Sequence, residues 1–401
     1  MDFNDSPEEA AYRAEVRRWL DANVPPQGVA MGDLAAAKAW QAKKAAAGYA
    51  GLTWPKDWGG QGLDPAKSVI FTEEEAARLP HAGMTFVIGL GMCLPAVMTF
   101  ADAATRSRFG PPALRGDEVW CQLFSEPGAG SDVAAVRTRA VRDGEDWVID
   151  GQKVWTSGAH YSDFGLIICR TNPDAPKHKG LTMFWVDMKS PGVEARPIKQ
   201  ISGAADFNET FFTGVRVKDS QRVGAVDEGW GVSMVTLMNE RLAGGGGSAT
   251  TWRMFLEAAR TTPGLDGAPA LTDPVIRDKL ADWYVLSEGL THTRNRTMTA
   301  LSRGQTPGPE NSIGKIVAAE VLRDLAQSAI EMLGECGIVE DPDLAPLQGV
   351  FQSAVLGSPA LRIAGGTDEI LRNIIAERVL GLPGDVRVDK TMAFKDLPVG
   401  R

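Results

Sequence analysis

The residue pattern of this chain changes twice along its length, and these changes constrain its fold more than any other feature. Residues up to about 118 carry helix signals such as Ser6-Pro7-Glu8-Glu9, which combines an N-cap, a first-turn proline and a capping-box glutamate. Short apolar runs bounded by turn residues follow over about 119–222 and predict β-strands. Helical spacing returns at about Glu228. This order predicts separate helical and β layers, not a doubly wound sheet.

The three patterns predict an N-terminal helical domain (1–118), a central β-domain (119–222) and a C-terminal helical domain (223–401). Within the central domain, the pair Asp150-Gly151 between two apolar runs predicts a hairpin turn. In the last domain, helices are expected over 313–333 and 367–380, and one face of an earlier helix is expected to carry Trp230, Met234, Leu237 and Met238.

Charge and composition exclude several classes of protein. The formal net charge of −9 argues against a nucleic-acid partner, which would need a basic surface. The four cysteines lie far apart and the four histidines are scattered, so we predict neither a disulfide scaffold nor a metal site. No apolar run approaches a membrane span, and the acidic start is unlike a signal peptide. The composition is rich in alanine and glycine and no transit peptide is apparent, so we expect a protein of a bacterial cytoplasm.

The densest cluster of polar residues and glycines runs from Gln122 to Asp132. Gly128 and Gly130 let backbone N–H groups approach a planar or anionic ligand, and Ser125 and Ser131 add hydroxyls. A plain loop between two strands is the alternative.

Two further segments suit a ligand. In Trp155-Thr156-Ser157-Gly158 an aromatic side chain adjoins two hydroxyls, which suits a flat heteroaromatic ring; the alternative is a core tryptophan before a turn. Gly365-Gly366-Thr367-Asp368-Glu369-Ile370 precedes an amphipathic helix, and a helix N-terminus is a seat for phosphate; an ordinary capped glycine turn is the alternative.

Glu240 and Arg241 form an unusual pair. Arg241 falls within the apolar face of its predicted helix, and Glu240 falls on the border of that face. A carboxylate at such a position is a candidate general base, and a structural ion pair is the alternative reading.

Taken together, these segments resemble the flavin-dependent acyl-CoA dehydrogenases. The resemblance rests on Phe124–Asp132, Lys153–Gly158 and Gly365–Ile370, with Ile375–Arg378. Their order and spacing fit across nearly the whole chain, and the loop Trp54–Gly60 agrees.

The resemblance implies an α+β multidomain fold that is mainly α, with an N-terminal helical domain, a central β-barrel-like domain and a C-terminal four-helix bundle. It implies FAD bound between the β-domain and the bundle, with the FAD tail reaching a neighbouring subunit. The residues that match cofactor positions are Gln122, Phe124, Ser125, Gly130, Ser131, Trp155, Thr156, Ser157, Glu331, Gly334, Thr367 and Glu369. Ser131, Arg241 and Gly365 match positions near the thioester and CoA.

The implied reaction is α,β-dehydrogenation of an acyl-CoA thioester, in which a carboxylate removes the α-proton and the β-hydrogen leaves as hydride to flavin N5. Many members of the family carry this base directly before the Gly-Thr at the head of the last helix. That position is Gly365 here. Other members carry the base in a Glu-Arg pair on an earlier helix, so we assign Glu240 as the base.

The resemblance also implies partners. We expect a homotetramer or homodimer that passes electrons to an electron-transferring flavoprotein. One alternative is a non-catalytic or partner-dependent subunit of a hetero-oligomer, and another is a flavin oxidase or monooxygenase of the same fold.

Overall fold

The computed structural model describes residues 5–26, 33–79, 84–243, 251–264, 266–302, 308–341 and 343–398. Among these, residues 84, 241–243, 298, 301, 302 and 388 are described by their backbone alone. The chain divides into two compact units, residues 1–243 with 385–401 (unit 1) and residues 244–384 (unit 2). Each unit is described here by itself.

Unit 1 begins with helices that pack around large apolar side chains, including Leu20, Trp40 and Phe71. The predicted capping box is confirmed, because Glu9 N–H donates to Ser6 Oγ at 3.3 Å and Ser6 N–H donates to Glu9 Oε2 at 2.7 Å. The helices are α1 (Pro7–Asn23), α2 (Leu34–Ala46), α3 (Pro65–Arg78), α4 (Met84–Ile88), α5 (Leu94–Phe100) and α6 (Ala103–Leu114), with a π-helical turn, Gly89–Cys93, between α4 and α5.

A twisted sheet forms the second part of unit 1. Its strands are β1 (Trp120–Leu123), β2 (Arg139–Asp143), β3 (Asp146–Ser157), β4 (Phe164–Arg170), β5 (Leu181–Asp187), β6 (Val193–Ile198), β7 (Phe207–Lys218) and β8 (Arg222–Val223). They lie in the order β6-β7-β3-β2-β4-β5-β8, and β1 pairs with β4 in parallel. The sheet's apolar side chains form two cores, and the core that contains Leu166 and Met183 also includes residues of α5 and α6.

The predicted hairpin turn at Asp150-Gly151 is wrong. The turn lies at Gly144-Glu145, between the paired residues Asp143 and Asp146, and β3 runs through Gly151 without reversing. Gly151 is required there because a Cβ would lie 2.5 Å from Thr138 Oγ1. The pairing of β3 with β7 shifts register at this position, so Gly151 marks a bulge instead of a turn.

The helix α7 (Gly229–Ala243) follows the last strand of the sheet in unit 1. Its buried residues include Val232, Ser233 and Thr236, whereas Met238, which we expected on the apolar face, is 39% exposed. The two buried hydroxyls donate to the carbonyl oxygens four residues earlier, at 2.9 and 3.3 Å. Because these polar groups are satisfied within the helix, apolar spacing alone did not identify the buried face.

Unit 2 is helical. It consists of α8 (Trp252–Thr261), α9 (Pro274–Ser302), α10 (Ser312–Leu333), α11 (Val350–Leu361) and α12 (Asp368–Ile374), and a π-helical turn, Ile375–Val379, follows α12. Phe255, Trp283 and Phe351 lie in its core. The sequence also predicts a loop over 303–311, which falls partly outside the described residues. The order of helices, sheet and helices agrees with the expected α+β fold.

Replacing two glycines of the sheet tests the corrected position of the hairpin. Gly151→Ala places a methyl group against Thr138, so we expect the free energy of unfolding to fall by about 1–3 kcal/mol. Gly144→Asn is the control, because asparagine tolerates the φ of +66° at Gly144 and no described atom lies within 4 Å of a Cβ there. Urea unfolding gives the free energy of unfolding of both variants. Equal losses of stability would contradict the placement of the turn at Gly144-Glu145.

Candidate functional site

The polar-glycine cluster forms a loop, residues 124–132, at the end of β1. A tight turn lies within it, since Glu126 N–H donates to Ala129 O and Ala129 N–H donates to Glu126 O, both at 3.0 Å. Gly128 and Gly130 are exposed, and no heavy atom of the described residues lies within 4 Å of a Cβ placed on either. The backbone of this loop therefore faces open space that a ligand can approach.

A buried ion pair holds this loop. Lys153 is fully buried, and its Nζ donates to Glu126 Oε1 at 2.8 Å and to Phe124 O at 3.0 Å. Burial alone would raise the pKa of Glu126, but the Lys153 charge and the N–H groups of Arg137 and Thr138 lower that pKa below its usual value. Glu126 is therefore a structural carboxylate.

Strand β3 lies directly beside the loop. Val154 N–H donates to Ser125 O at 2.9 Å, next to the bond from Lys153 to Phe124. Gln122 is half-buried on β1, and Ser131 is exposed at the far end of the loop. The structure thus brings the sequence-predicted residues 122–125 together with the segment that begins at Lys153.

Trp155 is held in an unusual backbone conformation. Its φ is +60°, and the pairing of β3 with β7 shifts register between Lys153 and Thr156. The indole ring remains 60% exposed and makes an edge contact with Phe207, with ring centroids 6.3 Å apart. A strained position that presents a large aromatic ring to the outside is typical of a ligand site.

Thr156 follows with its side chain turned inward. Its Oγ1 is buried and has no hydrogen-bond partner among the described residues. Its carbonyl oxygen accepts from Asn208 Nδ2 at 2.9 Å, and Asn208 Oδ1 contacts His160 Nδ1 at 3.0 Å. Ser157 is half-buried and pairs with Phe207. An unpartnered buried hydroxyl costs free energy unless a ligand supplies its partner.

Glu240 lies half-buried on α7, close to the π-helical turn Gly89–Cys93, against which α7 packs. Burial raises the pKa of the Cys93 thiol, and Cys121 and Glu240 raise it further, so the Glu240 carboxyl lies near this thiol. Turns of this kind occur often at functional sites. The Arg241 side chain lies outside the described part of the chain.

In unit 2, the start of α12 is fixed by a buried carboxylate. Asp368 accepts from Arg362 Nε at 2.6 Å and from Lys315 Nζ at 3.3 Å, and Lys315 also donates to Gly366 O at 2.8 Å. Thr367 is the N-cap, accepting from Ile370 N–H at 3.2 Å, and Glu369 is exposed. Gly365 has a φ of +65°, where a glutamate would be strained.

The other predicted cofactor residues of unit 2 lie at the opposite end of α10. Glu331 is in the last turn of α10, and Gly334 ends the helix with a φ of +56°. Lys315, which contacts Gly366, is sixteen residues earlier on α10, or about 24 Å along the helix axis. One chain therefore does not bring Glu331 and Gly334 beside Thr367 and Glu369.

Sequence reasoning missed several residues that shape these sites. Lys153 begins the segment Lys153–Gly158, but the sequence analysis did not identify it as a buried residue. The alternation along β3 that buries Trp147 and Ile149 could have indicated this burial. Asp368 was predicted only as part of a helix cap, because its partners Lys315 and Arg362 come from other segments.

Within the described residues, no group of His, Cys, Asp and Glu could hold a metal ion, and no helix is long and apolar enough to cross a membrane.

Family models match most of the chain. The N-terminal domain of acyl-CoA dehydrogenase matches residues 6–117, the middle domain residues 121–215 and the C-terminal domain residues 227–380. Acyl-CoA dehydrogenase IpdE1 of Mycobacterium tuberculosis is 37% identical, over 94% of this chain and 98% of IpdE1. Acyl-CoA dehydrogenase FadE34 of the same organism is 38% identical over 82% of this chain, which spans only 44% of FadE34.

Two solved structures share the fold. The Tcur3481-Tcur3483 steroid ACAD has a TM-score of 0.81 and 29% identity, covering 96% of this chain and 100% of that chain. The ChsE4-ChsE5 complex from Mycobacterium tuberculosis also has a TM-score of 0.81, with 28% identity and the same coverage.

Removing one member of the buried pair should destabilise the protein. Lys153→Met leaves the Glu126 charge buried without its cation, so we expect the free energy of unfolding to fall by about 3–5 kcal/mol. Arg216→Met is the control, because its pair with Asp143 is exposed and should contribute less than about 1 kcal/mol.

The free energies of unfolding in urea of the two variants and of the double variant Glu126→Gln/Lys153→Met test whether the buried pair stabilises the protein. The double variant should recover part of the loss, since it removes both charges. A Lys153→Met protein as stable as the parent would contradict the structural role of the pair.

Proposed function

Since the chain belongs to the acyl-CoA dehydrogenase family, we propose that it removes two hydrogens from the α and β carbons of an acyl-CoA thioester, with Glu240 as the base. The observation that carries the proposal is the position of this half-buried carboxylate on α7, near the π-helical turn Gly89–Cys93, in a chain with glycine at the other family position for the base. A carboxylate removes such a proton efficiently when it is positioned at the carbon and shielded from water.

FAD is the cofactor of this family, and the residues of unit 1 fit it. The buried hydroxyl of Thr156 needs a partner, Trp155 presents an exposed ring, and the backbone at Gly128 and Gly130 is open. When bound, FAD accepts the two electrons and the hydrogen that leave the β carbon. A polar flat ring is the kind of ligand that this combination of one hydroxyl and one aromatic side chain recognises.

Each residue has a role in the proposal. Trp155 contacts the isoalloxazine ring, while Thr156 and Ser157 donate to its polar edge. Phe124 and Ser125, fixed by Lys153 and Val154, form the side of the site with Gln122. Gly130 and Ser131 leave room for phosphate and pantetheine. Gly365, in unit 2, matches the family position whose N–H donates to the thioester carbonyl, a function that needs no side chain, and Arg241 lies next to the base in sequence.

We further propose a bulky, ring-bearing acyl group. The solved structure called a steroid ACAD shares 29% identity over nearly the whole chain, which supports this class. A base on α7, instead of at the head of the last helix, is compatible with such substrates. An electron-transferring flavoprotein is the proposed acceptor of the electrons.

The positions of the remaining cofactor residues support an assembly of more than one chain. Glu331 and Gly334 are separated from the start of α12 by most of the length of α10. If all four residues hold one FAD, two chains must contribute, because one chain holds the two pairs at opposite ends of the helix. We therefore propose a homodimer or homotetramer in which the FAD tail reaches a second chain.

A second candidate function is that of a subunit in a complex of two different chains. Gly365 favours it, because the common position of the base carries no acid group. Two similar solved structures, the Tcur3481-Tcur3483 steroid ACAD and the ChsE4-ChsE5 complex, are also named for pairs of chains. In this case the site of the partner chain would carry the reaction.

A conservative change at Thr156 tests the cofactor site. Thr156→Val removes a buried hydroxyl that has no described protein partner, so the protein without FAD should be equally or more stable. FAD should bind about two- to tenfold more weakly, because the hydrogen bond to the ring is lost. Thr210→Val is the matched control, since Thr210 Oγ1 is also buried without a described partner. Calorimetry on the apoprotein measures the affinity, and equal FAD affinity in both variants would remove Thr156 from the site.

A charge-neutral change at Glu240 tests the base. Glu240→Gln should still bind FAD and the thioester but should lose about two to four decades of reductive turnover, because the amide cannot accept the α-proton. The exposed Glu228, just before α7, supplies the control Glu228→Gln. Anaerobic mixing with acyl-CoA, followed by the visible absorbance of the oxidised flavin, gives the rate. Near-normal bleaching by Glu240→Gln would exclude Glu240 as the base.

A further inference from the structure

A C-terminal segment, residues 387–396, packs against the loop between β4 and β5 in unit 1. Phe394 N–H donates to Ala175 O at 2.9 Å, and Lys395 N–H donates to Pro173 O at 3.0 Å. An isolated β-bridge joins Ala393 to Pro176. These backbone contacts give the C-terminal segment a defined register on the β-domain, as a short added strand would have.

Phe394 is the buried anchor of the C-terminal segment. Its side chain is 5% exposed, and the guanidinium carbon of Arg170 lies 3.7 Å from the centre of its ring. The guanidinium carbon of Arg137 lies 5.2 Å from the same ring. Two cations thus share one aromatic ring, and a cation–π contact is strongest where water is excluded.

Arg170 is a buried cation that forms no described salt bridge, although the charges of Glu126, Asp227 and Asp132 favour its charged form. Its Nη2 donates to Ala134 O at 2.6 Å, and its Nη1 donates to Lys177 O at 2.9 Å and to Lys179 O at 3.1 Å. Burial lowers the pKa of Arg170 to about 10. The guanidinium therefore links the Phe394 ring to the chain just after the 124–132 loop.

A second connection runs parallel to the first. Lys177 is buried, and its Nζ pairs both with Asp389 of the C-terminal segment and with Asp132, at 2.7 Å for the latter. Arg387 and Lys177 lower the pKa of Asp389, so this carboxylate stays charged. Asp132 is the last residue of the 124–132 loop and follows Ser131 directly.

We propose that the C-terminal segment positions the 124–132 loop, through Phe394 on Arg170 and Asp389 on Lys177. The two connections meet the chain at Asp132 and Ala134, between the 124–132 loop and the residues 137–138 whose N–H groups bond Glu126. The consequence for ligands rests on the proposed function, in which Gly130 and Ser131 face the cofactor and the thioester. Phe394 and Asp389 are positioning residues, since neither belongs to the loop itself.

Amide hydrogen exchange on the full-length protein tests the proposal without a ligand. Phe394→Leu keeps an apolar side chain but removes the π face, and Asp389→Asn removes the charge beside Lys177. In each variant, exchange in the peptide covering 128–137 should become roughly three- to thirtyfold faster. Lys395→Ala is the matched control, because its pair with Asp174 is exposed and does not touch the loop. It should leave this exchange unchanged.

Ligand affinity and kinetics give the second readout. FAD affinity should fall and the KM for acyl-CoA should rise in Phe394→Leu and Asp389→Asn, while kcat at saturation stays within about twofold, because the base is not altered. A merely structural effect would lower the amount of folded enzyme and leave KM unchanged.

The outcomes distinguish the positioning role of the C-terminal segment from the proposed binding of ligands at the 124–132 loop. Unchanged exchange over 128–137 in both variants overturns the positioning role, whatever the activity. Faster exchange with unchanged FAD affinity and KM supports the positioning role and contradicts the assignment of the loop to the ligands. Should Phe394→Leu fail to fold, Asp389→Asn, whose carboxylate is less deeply packed, decides by the same two measurements.

Discussion

The buried pair of Glu126 and Lys153 is the interaction on which the candidate site depends. The 124–132 loop contains two glycines that contribute no side chains to packing, so its conformation must be imposed from outside. Lys153 binds both the Glu126 carboxylate and the Phe124 carbonyl, and it belongs to the strand that carries Trp155 two residues later. One ammonium group therefore fixes the loop and the strained aromatic position relative to each other.

Local signals in the sequence predicted a large part of the fold. The N-cap Ser6 starts α1 and α10 ends at Leu333, both as expected, because capping requires only residues a few positions apart. The Asp150-Gly151 prediction failed because the need for glycine there comes from Thr138, a residue of another segment. The buried face of α7 was missed because Ser233 and Thr236 satisfy their own hydroxyls.

In the candidate site, too, the sequence predicted features set by neighbouring residues and missed contacts between distant ones. Residue types at short spacing identified the loop, the Trp155 segment and the head of α12. The ion pairs of Lys153 and Asp368 and the contacts of Phe394 join residues tens of positions apart, and spacing alone does not predict such pairs. Gly365 has a positive φ, at which a glutamate would be strained, and this agrees with the proposed base on another helix.

We propose that this chain carries both its own base and its own share of the flavin site. The direct measurement is an anaerobic titration of the purified chain, with no second polypeptide present, using straight-chain and steroid-derived acyl-CoA thioesters. We expect a yellow protein whose oxidised flavin absorbance disappears on addition of the ring-bearing thioester. A colourless protein, or one that loses its absorbance only after a different chain is added, would contradict the claim.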